Sequence, residues 1–172
     1  MTKKIGLCLF ITALFLISCV TTKQEDPAFK VTYKNSLYSY SNPLTFDSHE
    51  YLMKKEEAKA AREMREPDYS LIPQVGYILF RTVGLTLESA KASNWLFIII
   101  DNTGKEVYRS LGKSDSTPNY NVSQYGTSWY DYEAIRLDDT SIEFPLQVHI
   151  VEPYSDRVYD ITISNKQQTE GQ

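Results

Sequence analysis

From residue 75 onward, apolar and polar residues mostly alternate with a period of two, which is the period of β-strands. "VGYILFRTV" (75–83) is dense in branched and aromatic side chains, and "LTLES" (85–89) alternates. "NWLFIIID" (94–101) is a near-continuous apolar run and predicts a central strand buried on both faces. Asp101-Asn102-Thr103-Gly104 predicts a turn, from which "KEVYRSL" returns as a hairpin partner. "TSWYDYEAIRL", "IEFPLQVHIVE" and "RVYDITIS" supply three more strands, separated by "DDTS" and "PYSD". Pro145 has no N–H to give to a ladder, so its strand is expected at a sheet edge or at a bulge.

Upstream the period changes. "FKVTY" (29–33) reads as a short strand, and "DSHEYLMKKEEAKAAREMREP" (47–67) reads as one helix. Asp47 with Glu50 three residues later has the logic of a capping box, and Pro67 is the expected stop. Glu50 with Lys54, Lys59 with Glu63 and Arg62 with Glu66 stand at supportive spacing. Leu52, Met53, Ala60 and Met64 make only a thin apolar stripe, so the helix is expected to lie solvated along the domain or to stand off it as a spacer. Several short strands without alternating helices predict a mainly β chain, an antiparallel β-sandwich preceded by one polar α-helix.

The first residues follow neither period. Lys3 and Lys4 precede an apolar run from Ile5 to Ile17, shorter than the roughly 20 residues a spanning helix needs. The shape is that of a secretory leader. Its end, Leu16-Ile17-Ser18-Cys19, resembles the lipobox of bacterial lipoproteins. The resemblance implies cleavage before Cys19, a diacylglycerol on its thiol and usually an acylated amino terminus. Several acyl chains together make a lasting anchor where one chain would hold only marginally. Val20 follows the cysteine, where Asp in enterobacterial lipoproteins favours retention at the inner membrane, so the resemblance points to the outer membrane. The expected organisation is a leader over 1–18, a lipidated tether over 19–30, a short strand and polar helix over 31–74, the sandwich over 75–164 and a disordered tail over 165–172.

Charge and cysteine usage narrow the function classes. Losing Lys3 and Lys4 with the leader takes the net charge from −4 to −6, and no basic patch stands out, so a nucleic-acid partner is not expected. Anionic head groups would repel such a surface, leaving lipid on Cys19 as the means of membrane attachment. Of the two cysteines, Cys8 lies in the leader and Cys19 at the anchor, so a mature chain would hold no disulfide, thiol nucleophile or thiolate metal site.

Catalytic chemistry finds little purchase. The two histidines are His49, at the start of the polar helix, and His149, in "PLQVHIVE"; neither has a nucleophile elbow or an HExxH neighbour. No catalytic residue, cofactor or metal site is assigned. Two alternatives stay open: an envelope hydrolase using His149, and a calcium site in the acidic turns at Asp101, Asp138-Asp139, Asp156 and Asp160, which resembles C2-type sandwiches. The most unusual stretch is "NYNVSQYGTSWYDY" (119–132). Trp129 shares a face with Ile135 and Leu137 and is expected inward, which turns Tyr130 and Tyr132 outward. Together with the loop residues Tyr120 and Tyr125 they are the candidate contacts for a glycan or a protein partner.

Overall fold

A computed structural model of the chain describes residues 25–34, 43–124, 126–155 and 157–166. They form a mainly β structure of two antiparallel sheets packed face to face. In chain order the elements are β1 (Phe29–Tyr33), β2 (Leu44–Ser48), α1 (His49–Glu63), β3 (Gly76–Gly84), α2 (Leu87–Ala90), β4 (Leu96–Ile100), β5 (Glu106–Leu111), β6 (Asn119–Ser123), β7 (Gly126–Leu137), β8 (Leu146–Val151) and β9 (Val158–Asn165). One sheet has the order β1-β9-β8-β4-β5 and the other β2-β3-β7-β6. Every pairing is antiparallel.

The core is what the inward half of each alternating strand supplies. Ile78 and Phe80 of β3 and Ile135 and Leu137 of β7 meet Phe97, Ile99, Val148, Ile150, Ile161 and Ile163 of the other sheet. Trp95 is fully buried just before β4, with its ring 5.8 Å from that of Phe80 and its indole N–H donating to the Ser89 carbonyl at 2.9 Å. That bond supplies the partner a buried indole requires.

The segment upstream of residue 75 does not precede the sandwich; it supplies two of its edge strands. β1 pairs with β9 and β2 pairs with β3, one in each sheet. β2 escaped the sequence reading because Asn42-Pro43 reads as a turn and Asp47 as a helix cap, which leaves only Leu44 to Phe46 between them. The tether expected to reach residue 30 also ends sooner. Asp26 is buried, accepts the Ala28 N–H at 2.9 Å and the Ser48 N–H at 3.0 Å, and is bonded by the Ser48 hydroxyl.

Helix α1 starts at a different cap from the one expected. Ser48 is the N-cap, its Oγ accepting the Tyr51 N–H, while Asp47 pairs with Lys55 at 3.0 Å. The helix stops before Pro67, at Glu63, where Met64 turns left-handed with φ 52°. Arg65 then folds back onto Glu56 and Glu63, so the charge pairs differ from those expected from spacing.

Two further expectations give way to the sheet. β4 is flanked by β8 and β5 and buries Phe97 and Ile99, yet Leu96, Ile98 and Ile100 sit half-buried on an outer face. An apolar run does not by itself place a cover over both faces. β8 is an interior strand, because Pro145 lies just ahead of Leu146 and the ladder never needs its missing N–H. Replacing Ile99 by Ala should therefore cost about 2–5 kcal/mol in denaturant unfolding. Ile98→Ala, one residue away on the open face, should cost clearly less; equal losses would show that the outer face is packed like the core.

Candidate functional site

Strand β7 organises the candidate site because its two faces carry opposite chemistry. Asp131, Glu133, Ile135 and Leu137 are buried, and Tyr132, Ala134 and Arg136 between them are exposed. Trp129 has the inward parity, and Tyr130 and Tyr132 the outward parity. The register with β3 sets Tyr132 opposite Arg81 and Tyr130 opposite Val83, and the register with β6 sets Ser128 opposite Asn121.

The inward carboxyls hold the chain where it passes between sheets. Asp131 accepts the Ala92 N–H at 3.0 Å and the Ser116 hydroxyl at 2.7 Å. Glu133 accepts the N–H groups of Lys113 and Ser114 at 2.8 and 3.0 Å. These bonds satisfy carboxyl oxygens that would otherwise be buried without partners. Gly112 lets the loop come this close: a Cβ there would collide with the Ala92 carbonyl and approach Glu133 Oε2.

On the outward side, Arg81, Val83, Asn121, Ser128, Tyr130 and Tyr132 line a hollow of about 240 Å³, which Tyr120 also borders. The Tyr130 and Tyr132 rings stand edge to face with centres 5.8 Å apart, and the Arg81 guanidinium lies 5.9 Å from the Tyr130 ring centre. Arg81 Nε is buried and has no hydrogen-bond partner. Tyr120 is on strand β6, not in a loop; it shares its parity with Trp129, packs its ring 5.5 Å from it and is 63 % exposed. The structure thus brings Tyr130 and Tyr132 to one hollow, with Tyr120 at its border and its ring turned to Trp129, while Tyr125 and Cys19 lie outside the described residues. Sequence reasoning missed Arg81, Asn121 and Ser128. The signal for Arg81 was present, a lone cation inside the apolar run "VGYILFRTV".

The other candidates are elsewhere. His149 and Asp160 are cross-strand partners on the outer face of the β1-β9-β8-β4-β5 sheet, with Nδ1 and Oδ1 at 2.5 Å. His149 sits beside Ile98 there, on the opposite side of the sandwich from the tyrosines. His49 Nδ1 is 2.8 Å from the Pro73 carbonyl oxygen, a contact within the fold. A wider groove of about 1300 Å³ runs beneath α1, where Tyr51, Leu52, Leu71 and Tyr77 alternate with charged side chains, among them the paired Glu56 and Arg65.

The acidic turns at Asp101 and Asp139 are engaged by their own backbone, and Asp156 lies outside the described residues. Asp101 accepts the N–H groups of Thr103 and Lys105 and the Thr103 hydroxyl. Asp139 does the same with Ser141 and pairs with Lys105 at 3.1 Å. Among the described residues no group of three or more His, Cys, Asp or Glu side chains converges as a metal site would require. No helix among them is long and apolar enough to cross a membrane.

No protein-family model matches the chain, and neither a curated protein nor a solved structure resembles it closely enough to count as a match.

The Asp139 bonds have a measurable pH signature. The Ser141 hydroxyl and N–H, with Lys105, hold its carboxyl down from the ordinary 3.8 to about 2. A depressed folded pKa stabilises above the unfolded value and is lost as pH falls through the folded one. The difference in melting temperature between the wild-type chain and Asp139→Asn should therefore be full above about pH 5 and shrink from there toward pH 2. A difference that stays constant across that range would contradict the assigned bonds.

Proposed function

We propose that this chain is a lipid-anchored bacterial cell-envelope protein whose β-sandwich is a non-catalytic binding module for a glycan. The convergence of tyrosine rings with the Asn121 amide and the Ser128 hydroxyl in one hollow carries the reading. A pyranose presents C–H faces and a rim of hydroxyls. Aromatic rings suit the first, and groups able to donate and accept suit the second. A hollow of about 240 Å³ matches one sugar residue of a longer chain. A protein partner, the other class the aromatic stretch suggested, would ask for about 800 Å² of complementary surface on each side.

Rigid presentation supports the same reading. Arg81 and Tyr132 sit on β3 and β7, adjacent interior strands of their sheet, so little side-chain or loop ordering has to accompany binding.

The lipobox-like Leu16–Cys19 stretch supports the anchor, and Val20 supports the outer membrane as its place. With the fold beginning by Asp26, the seven residues from Cys19 to Glu25 would reach at most about 25 Å. Such a module would scan ligands close to the bilayer surface and outside the cytoplasm.

Two measurements on the full chain expressed in a bacterium test the proposal. Incorporation of labelled palmitate and recovery in the membrane fraction should both be lost in Cys19→Ser; a serine variant that stays with the membrane would refute the anchor. On an oligosaccharide array, Tyr130→Ala with Tyr132→Ala should weaken binding about tenfold or more without lowering the melting temperature greatly. Full retention of glycan binding by that double variant would remove the hollow as the site.

A further inference from the structure

The hollow contains a group that a neutral sugar does not require. Arg81 rises from the middle of β3 among apolar neighbours, and its guanidinium has no oxygen partner among the described residues. The other arginines do. Arg65, Arg109, Arg136 and Arg157 each pair with a carboxylate, and Arg62 donates to the Ala58 carbonyl. Arg81 Nε is in addition buried without a hydrogen bond. A buried donor of this kind is costly to leave unmade, and it marks Arg81 as a cation that the fold itself does not pair.

The surroundings favour an anion as that acceptor. The chain carries 22 acidic residues against 18 basic ones, yet none of the described residues lining the hollow is acidic. The local charge is therefore that of Arg81 alone, opposite in sign to the molecule. Tyr130 lies against the guanidinium and Tyr132 stands directly across the strand pair. A cation–π contact of this kind holds the guanidinium near the ring, and a guanidinium can bind two oxygens at once. A carboxylate or a sulfate offers those two oxygens in matching geometry; a hydroxyl offers one.

We propose that the hollow selects an anionic sugar residue, bearing a carboxylate or a sulfate, with Arg81 as the anchor of the charged group and the tyrosines as the platform for the ring. The inference rests on the glycan-binding reading of the same hollow and adds the charge of its ligand.

An array carrying neutral, uronate-bearing and sulfated oligosaccharides tests it with the full-length chain in detergent. Binding should concentrate in the acidic members, and the uronate and sulfate arms tell which anion is preferred. Titration calorimetry with the strongest acidic binder and its neutral parent should show a preference of about tenfold or more. Arg81→Gln should erase that preference, and Arg81→Lys, which keeps the charge but not the fork, should retain part of it. Melting curves should place both variants near the wild-type chain, since Arg81 points away from the core. Neutral and acidic sugars binding equally through the tyrosines would overturn the anionic preference and leave the glycan-binding module standing. An array on which nothing binds would remove both. An acidic preference that survives Arg81→Gln would overturn the assignment of the anchor.

Discussion

The buried carboxyls of Asp131 and Glu133 are the constraint on which the arrangement depends. Each takes hydrogen bonds from loops that carry the chain from one sheet to the other: Asp131 from the β3–β4 and β5–β6 connections, Glu133 from the β5–β6 connection alone. Buried acidic groups tolerate few positions, because losing their donors would leave them uncompensated in an apolar surrounding. In a strand, fixing two alternate residues inward fixes those between them outward. A one-residue slip of β7 would put Tyr130 and Tyr132 into the core and the carboxyls into water. Bonds on the inner face thus decide where the rings of the outer face stand.

Binding would exploit that arrangement rather than create it. The hollow is built on paired strands, the ring contacts exist without any ligand, and the unpaired guanidinium is already in place. Natural folds rarely keep an unpaired buried donor for the sake of stability. Arg81 Nε is such a donor, held beside the Tyr130 ring on the outward face of β3.

Much of the architecture was legible from residues near one another in the chain. The strands β3, β4, β5, β7, β8 and β9 follow from alternation and turn chemistry, and the outward parity of Tyr130 and Tyr132 follows from the company of Trp129, Ile135 and Leu137. One misreading is local: "LTLES" alternates like a strand, but Leu87–Ala90 is the helix α2, closed by a capping box between Thr86 and Ser89. Others have their cause in distant partners. Ser48 caps α1 in place of Asp47 while Asp26, far back in the chain, is bonded to the same serine. β2 and β6 are short, with only two apolar residues each, and become strands because β3 and β7 offer them edges. The exposed side of β4 is as apolar as a buried one, and only the absence of a covering element among the described residues distinguishes it.

By itself the sequence determined the class of the fold, since a period of two is a local property that each strand carries in its own side chains. It also determined which aromatic residues could leave the core. Tertiary structure alone decided that β1 and β2 close the two sheets, and that Arg81, Asn121 and Ser128 meet Tyr130 and Tyr132. Those encounters join positions as far apart in the chain as Arg81 and Tyr132, or Phe29 and Asn165, through cross-strand register. Register is set by hydrogen bonds and packing between strands, for which no single segment carries the information.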